Sequence, residues 1–200
     1  CRTPGWIEAL RTPWRTGEVR PVAQVLFFLE QRAFGLNAPA FNGVSLLLHA
    51  LVVALVIRLA RALGAGPGTA WSAGILFAAG CGHLNKPVAW ACAQGQIVAT
   101  AAALAALTPV LRSPARPLRP AATAGVAAGL AFAVLAHEQA VVAPVALVAL
   151  VWFRRHPSRR ALTAAALAVL ALYTLGSARA HSQHHFLERL GVGVPERLLT

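Results

Sequence analysis

Six runs of nearly uninterrupted apolar residues, 44–63, 69–82, 88–111, 121–136, 140–153 and 161–178, constrain this chain more than any other feature. The chain is 58% hydrophobic and 12% charged with a mean hydropathy of +0.62, against roughly half and a quarter for a soluble domain, so its class is membrane. A helix rising ~1.5 Å per residue needs about 20 apolar residues to cross a core of about 30 Å, which leaves 69–82 and 140–153 short on their own. Read as one helix, the 33 residues of 121–153 would run about 50 Å and carry His137 and Glu138 at mid-length. Two short spans turning at His137, Glu138 and Gln139 fit better. The expected fold is therefore all-α, a polytopic transmembrane bundle of about six spans. The breaks between helices fall at the Gly/Pro-marked 64–68 and 113–120, no linker divides the chain, and no repeat of fixed period is present.

Charge sets the expected orientation. The six acids are all Glu and face 17 Arg and one Lys, a net charge of +12 and a pI near 11.7. Such a balance usually points to nucleic acid, but only where a soluble basic face exists. If the segments alternate, one side receives Arg58, Arg61, Arg112, Arg116, Arg119, Arg154, Arg155, Arg159 and Arg160, and the opposite turns receive Lys86 alone. Nine cations against one is a positive-inside signal that makes the first side cytoplasmic and needs no nucleic acid. The expected partner is the lipid bilayer and the expected location the plasma (inner) membrane. Residues 1–43 form an outer-face loop, 44–178 the bundle and 179–200 an outer-face segment of one partial membrane domain. The N-terminal arginines run against the trend, but Glu8, Glu18 and Glu30 partly balance them and they lie away from span ends.

The chain contains no Met, so Cys1 is not a translation start and the expectation is a fragment; an acylated lipoprotein Cys1 is the alternative, without the usual polar linker after it. Cys1, Cys81 and Cys92 offer neither a disulfide framework nor metal-site spacing. Ahead of the first span, residues 21–35 put Val22, Val25, Leu26, Leu29 and Phe34 roughly on one helical face, with Pro21 suited to a first helical position and Gly35 to a stop. An amphipathic helix on the outer surface is expected; a seventh short span is opposed by Glu30, Gln31 and Arg32.

The candidate chemistry gathers on the expected outer face. Arg20 can grip a phosphate bidentately or snorkel beside lipid. His49, inside the first span about one turn from its outer end, is either functional or bonded to a backbone carbonyl. The turn from His83 to Trp90 holds the single lysine, Lys86, which can neutralise a phosphate or anchor a turn, while Trp90 fits an interfacial belt better than a sugar platform. His137 and Glu138, wedged between two apolar runs, are costly without a partner and read as a site, though a bond to a neighbouring helix end also explains them. His181, His184 and His185 cluster without a fixed partner, so a divalent metal is unsupported, and no phosphate loop, nucleophile elbow or zinc signature is present. On residues alone the reading ends at a polytopic membrane protein whose outer polar site suits an anionic, lipid-linked substrate.

Several segments resemble a known family. Val19, Arg20, Pro21 and Val22 followed by 26–36 and 41–51, then 76–78, Pro87 to Trp90, 94–100, and Ala136, His137, Glu138, resemble in order the motifs of the type C (GT-C) membrane glycosyltransferases. The nearest in pattern are the protein O-mannosyltransferase-like enzymes and bacterial relatives with tetratricopeptide repeats; 195–200 is similar to the start of a later family segment. The resemblance implies sugar transfer at the outer face from a polyprenyl-phosphate donor to a protein, lipid or glycan acceptor. It assigns Arg20, Lys86 and His137 to the carrier phosphate and Glu138 to the site, with His49 a lesser candidate. The family's catalytic acid belongs to a region that would precede Cys1, with Glu8 a fallback. Lys86 stands where the family has Glu, His137 where it has Lys and Gln96 where it has Asp, which implies a divergent substrate or lost transfer. A transporter or flippase, and a noncatalytic membrane scaffold, are the rival readings.

Overall fold

A computed structural model of the chain describes the backbone of residues 20–80, 94–113 and 115–189, with side chains described through Ala178. The described residues are helical with no strand. In chain order the helices are α1 (Pro21–Phe34), α2 (Ala38–Ala62), α3 (Pro67–Ala79), α4 (Gln94–Arg112), α5 (Pro120–Ala136), a 3-10 turn (Glu138–Val141), α6 (Val142–Phe153) and α7 (Arg159–Arg189). Three stretches, Ala38–Ala62, Gln94–Arg112 and Arg159–Ala178, are long and apolar enough to cross a membrane; Pro120–Ala136 and Glu138–Phe153 are apolar but shorter.

The local chemistry explains the boundaries. Pro21 opens α1, and Gly35 ends it at φ 63°, where only glycine is unstrained. α2 begins six residues before the apolar run expected from 44, because Asn37 Oδ1 accepts the Ala40 N–H (3.3 Å) and Pro39 sits in the first turn. The turn at His137 is real: its side chain caps the 3-10 turn, and α5 ends at Ala136 as the sequence predicts. At the other extreme α7 does not stop near 178 but continues as helix to Arg189, where the sequence reading has a separate outer segment.

Helices α2 and α4 run side by side in the same direction. Gln94 at the start of α4 donates to Phe41 O and Ser45 Oγ near the start of α2, while Leu55 and Arg58 meet Thr108 and Arg112 at their far ends. α5 returns antiparallel to α4, and α7 packs on α5 and α6. The larger core, including Val110, Val126, Leu130, Leu147, Val151 and Leu162, lies among α4 to α7; Val52, Leu55, Ile97 and Ala101 form a second between α2 and α4. Outward faces are apolar too: Leu47 on α2 and Leu172 on α7 are each 73% exposed. A water-facing surface would not carry that many large aliphatic side chains, whereas lipid accepts them. The alternation gathers the inter-helix arginines at one end, where Leu118 N–H donates to Ser158 Oγ (2.9 Å) and His156 Nε2 meets Ser113 O (2.9 Å). The turn at 137–141 and the start of α1 lie at the other end.

The sequence marks the apolar stripe of α1 but not which face meets protein. In that stripe Leu29 and Phe34 are exposed and Val22, Val25 and Leu26 half-buried, while Ala23 and Glu30 are buried. In an apolar surrounding the polar face of a helix turns to the protein and its apolar face to the lipid, the reverse of a soluble domain.

Close approach at one glycine makes this arrangement possible. A Cβ on Gly95 would lie 2.8 Å from Ala136 O and 2.9 Å from Ala23 Cβ, so α1, α4 and the end of α5 meet where only a hydrogen fits. Gly95→Ala is expected to lower the thermal unfolding midpoint in detergent by the equivalent of about 1–3 kcal/mol. Gly125→Ala, with open space around it, should leave that midpoint unchanged or raise it slightly. Equal midpoints for the two variants would contradict the packing described.

Candidate functional site

Arg20 precedes the first turn of α1, and Glu138 opens the turn between α5 and α6, outside the apolar runs. Separated by 118 residues, they meet in a fork: Arg20 Nε donates to Glu138 Oε2 at 2.7 Å and Nη2 to Oε1 at 2.6 Å. The paired side chains are 17% and 30% exposed, so water reaches the pair but does not surround it. Two parallel charge-assisted bonds of this kind fix direction as well as distance, which a lysine cannot do.

Around the pair the neighbouring groups are polar and ordered. His137 Nδ1 accepts the Gln139 N–H at 3.3 Å and stands 3.5 Å from Glu138 Oε1, with the ring nearly enclosed. Gln96 on α4 donates to Gln139 Oε1 at 2.6 Å. Beside them lies a cavity of about 330 Å3, whose lining includes Gln96, Thr100, His137 and Gln139 against alanines of α4 and α6. That volume is within the range of small-ligand sites, and its walls combine a few directed polar groups with an apolar surface.

Burial alone would raise the Glu138 carboxyl; the bonds from Arg20, a backbone N–H and the nearby His137 outweigh it and hold the group below the ordinary carboxylate value of 4.5. Glu138 is therefore a charged partner at neutral pH. A second acid behaves oppositely. Glu30 is only 4% exposed, and neither of its carboxylate oxygens has a hydrogen-bond partner among the described residues. Its burial pushes the carboxyl above 4.5, and the neighbouring Gln94 amide, whose N–H groups go to Phe41 O and Ser45 Oγ, offsets only part of that. Along α1 the two acidic positions are separate: Glu30 lies ten residues, about 15 Å of helix, beyond Arg20.

Of the residues singled out in the sequence, the structure brings Arg20, His137 and Glu138 together. His49 is elsewhere. With α2 starting at Ala38, it sits near mid-helix rather than one turn from the end, half-buried, its ring stacked on Phe77 of α3 at 5.9 Å. Lys86, Trp90 and Glu8 lie outside the described residues, and the side chains of His181, His184 and His185 do as well. Sequence reasoning used Glu30 only as a charge, against a membrane span and in balance with the N-terminal arginines, and left Gln94 and Gln139 without a role. A lone acid opposite an apolar stripe is the signal that would have marked Glu30. Among the described residues no three His, Cys, Asp or Glu side chains gather as a metal ion requires.

No protein-family model matches this chain, and neither a curated protein nor a solved structure matches it.

Two outcomes follow from the electrostatics. Because the folded-state value of Glu138 is depressed, the pair's contribution is present above the ordinary carboxylate range and is lost as pH falls through that depressed value. Arg20→Lys should weaken the native state by about 1–2 kcal/mol at pH 7. The deficit relative to wild type should shrink in acid, as read from thermal unfolding in detergent. For Glu30 the sign is reversed: its raised value makes the ionised form unfavourable once pH exceeds it. Glu30→Gln should raise the unfolding midpoint at pH 8 and change it less at pH 4; a midpoint lowered at pH 8 would show that the carboxylate has a stabilising role.

Proposed function

We propose that this chain belongs to a multi-pass membrane glycosyltransferase of GT-C type, which moves a sugar from a polyprenyl-phosphate carrier to an acceptor hydroxyl at the outer face. The reading takes the five apolar helices, with α3 as a short sixth, as membrane segments and assigns the arginine-rich end to the cytoplasm. What supports it is one observation. Arg20, from the Arg-Pro motif, and Glu138, from the motif after α5, lie in a mutual fork beside a cavity at one end of an apolar bundle. These are two of the elements on which the family resemblance rests, and no spacing rule brings them together. A membrane-end site is where a lipid carrier presents its phosphate.

The proposed chemistry uses a change of partner. In the absence of substrate Glu138 neutralises Arg20 and is itself held ionised. The phosphodiester of an arriving donor, singly charged, competes with Glu138 for the guanidinium, and a second charge develops on that phosphate as the sugar leaves. Once Arg20 turns to phosphate, Glu138 keeps the burial that raises its proton affinity and loses the Arg20 bonds, the largest of the effects that lowered it, so it becomes a better base. The acceptor hydroxyl then gives its proton to Glu138 as its oxygen bonds to the anomeric carbon. The bond from that carbon to the phosphate oxygen breaks, and the electron pair leaves on polyprenyl phosphate, steadied by Arg20. His137, enclosed beside both, orients the carboxylate.

The test uses the full-length gene product in nanodiscs with polyprenyl-phosphate hexose, following release of polyprenyl phosphate by mass spectrometry. Wild type is expected to release it. Glu138→Gln should lower release by about a hundredfold or more while still binding polyprenyl phosphate, and Arg20→Ala should lose the binding as well. Release at the wild-type rate by Glu138→Gln removes Glu138 from the chemistry. Movement of intact polyprenyl-phosphate hexose across a vesicle bilayer, with no release, would instead support a flippase and overturn the transferase.

A further inference from the structure

A second cavity lies at the opposite end of the bundle, between the final turns of α2 and α4. It measures about 220 Å3 and is lined by Leu55 and Arg58 of α2 and by Ala105, Thr108, Pro109 and Arg112 of α4. Its volume is about seven times the ~30 Å3 that a water molecule occupies in the liquid, ample for a phosphoryl group. The composition is divided: two guanidinium groups and a hydroxyl on one side, aliphatic surface on the other.

Among the described side chains no acid compensates the charge at this end. The only acids with described side chains are Glu30, on α1, and Glu138, at the far turn, and neither pairs with Arg58 or Arg112. Arg112 ends α4, where it complements the helix dipole, and Arg58 lies one turn before the end of α2. That accounts for only part of their charge: each helix end carries roughly half a negative charge, about one in total, against two full positive charges. Arg61, Arg119, Arg154, Arg155, Arg159 and Arg160 stand at helix boundaries of the same end and add to the excess. The cavity thus sits in a positive field of its own helices' making.

We propose that this cavity is a head-group site for an anionic phospholipid. Arg58 and Arg112 hold the phosphate, and Leu55, Ala105 and Pro109 receive the first methylenes of the lipid. Pro109 contributes in a second way. Lacking an N–H, it leaves the carbonyl of Ala105, a residue of the lining, without its usual helical donor, an acceptor that suits a glycerol hydroxyl of the head group. A phosphate held between basic side chains at helix ends, with an apolar wall leading into the bilayer, is the arrangement by which membrane proteins select anionic lipid over zwitterionic lipid. The inference requires the membrane reading but not the transfer chemistry at the other end, and its test does not involve a sugar donor.

The experiment titrates the purified full-length protein in neutral detergent with dioleoyl-phosphatidylglycerol, dioleoyl-phosphatidylcholine or inorganic phosphate, reading the thermal unfolding midpoint and bound lipid by native mass spectrometry. Phosphatidylglycerol is expected to bind saturably and raise the midpoint; phosphatidylcholine and millimolar phosphate are expected to do neither. Changing both Arg58→Gln and Arg112→Gln should weaken phosphatidylglycerol binding by about tenfold or more, whereas Arg61→Gln, the loss of one charge outside the lining, should change it by less than about twofold. Ala105→Leu fills the cavity without touching charge and should produce the same loss as the double variant, which covers the case in which that variant does not fold. Undiminished binding in both the double variant and Ala105→Leu overturns the site. An equal loss in Arg61→Gln reduces it to diffuse surface charge and overturns it too. A midpoint shift produced by inorganic phosphate alone would assign the cavity to a free anion and overturn the lipid.

Discussion

A carboxylate at the end of two apolar helices must find a cation or give up its charge, and much of this structure is arranged around how Glu138 does so. The turn that carries it exists because α5 cannot continue: His137 caps a 3-10 turn and redirects the chain into α6. The cation comes from 118 residues earlier in the chain, at the start of α1. That single fork ties α1 to the α5–α6 corner, and the absence of a side chain at Gly95 lets the three elements close around it. Polar contacts then extend outward through His137, Gln139 and Gln96 to the cavity.

The two ends of the bundle divide the electrostatic work. One end holds the two acids with described side chains, in opposite states: Glu138 paired and held ionised, Glu30 buried and driven toward its neutral form. The other end holds the inter-helix arginines and a buried histidine, His156, whose ring joins the loop after α4 to the loop before α7. A chain with charge sorted in this way, and with aliphatic side chains facing outward between the ends, matches a bilayer in cross-section. The proposed transfer site and the proposed lipid site occupy these opposite ends and require different ligands.

Much of the helical outline was legible because apolar runs, Pro21, Gly35 and the 137–139 break are local signals. The start of α2 was not, since the residues before 44 are only moderately apolar and the Asn37 cap outweighs that. The inward face of α1 was not legible for a more general reason. A hydrophobic stripe identifies the two faces of a helix but not which of them meets protein, and the surroundings here reverse the rule that holds in water. For the site, Arg20, His137 and Glu138 were each marked by the cost of a polar group in an apolar setting, yet their meeting is a property of the fold across 118 residues. The burial of Glu30 was not legible because its neighbour Gln94 comes from another helix.

The account stands most directly on the energetic link between Arg20 and Glu138. A double-mutant cycle on thermal unfolding in detergent, with Arg20→Ala, Glu138→Ala and both together at pH 7, isolates that link from the separate effects of each truncation. The predicted coupling is about 1 kcal/mol or more, with the double variant no less stable than the worse single variant. A coupling near zero, with the two losses simply adding, would contradict the pairing on which the site and the docking of α1 both rest.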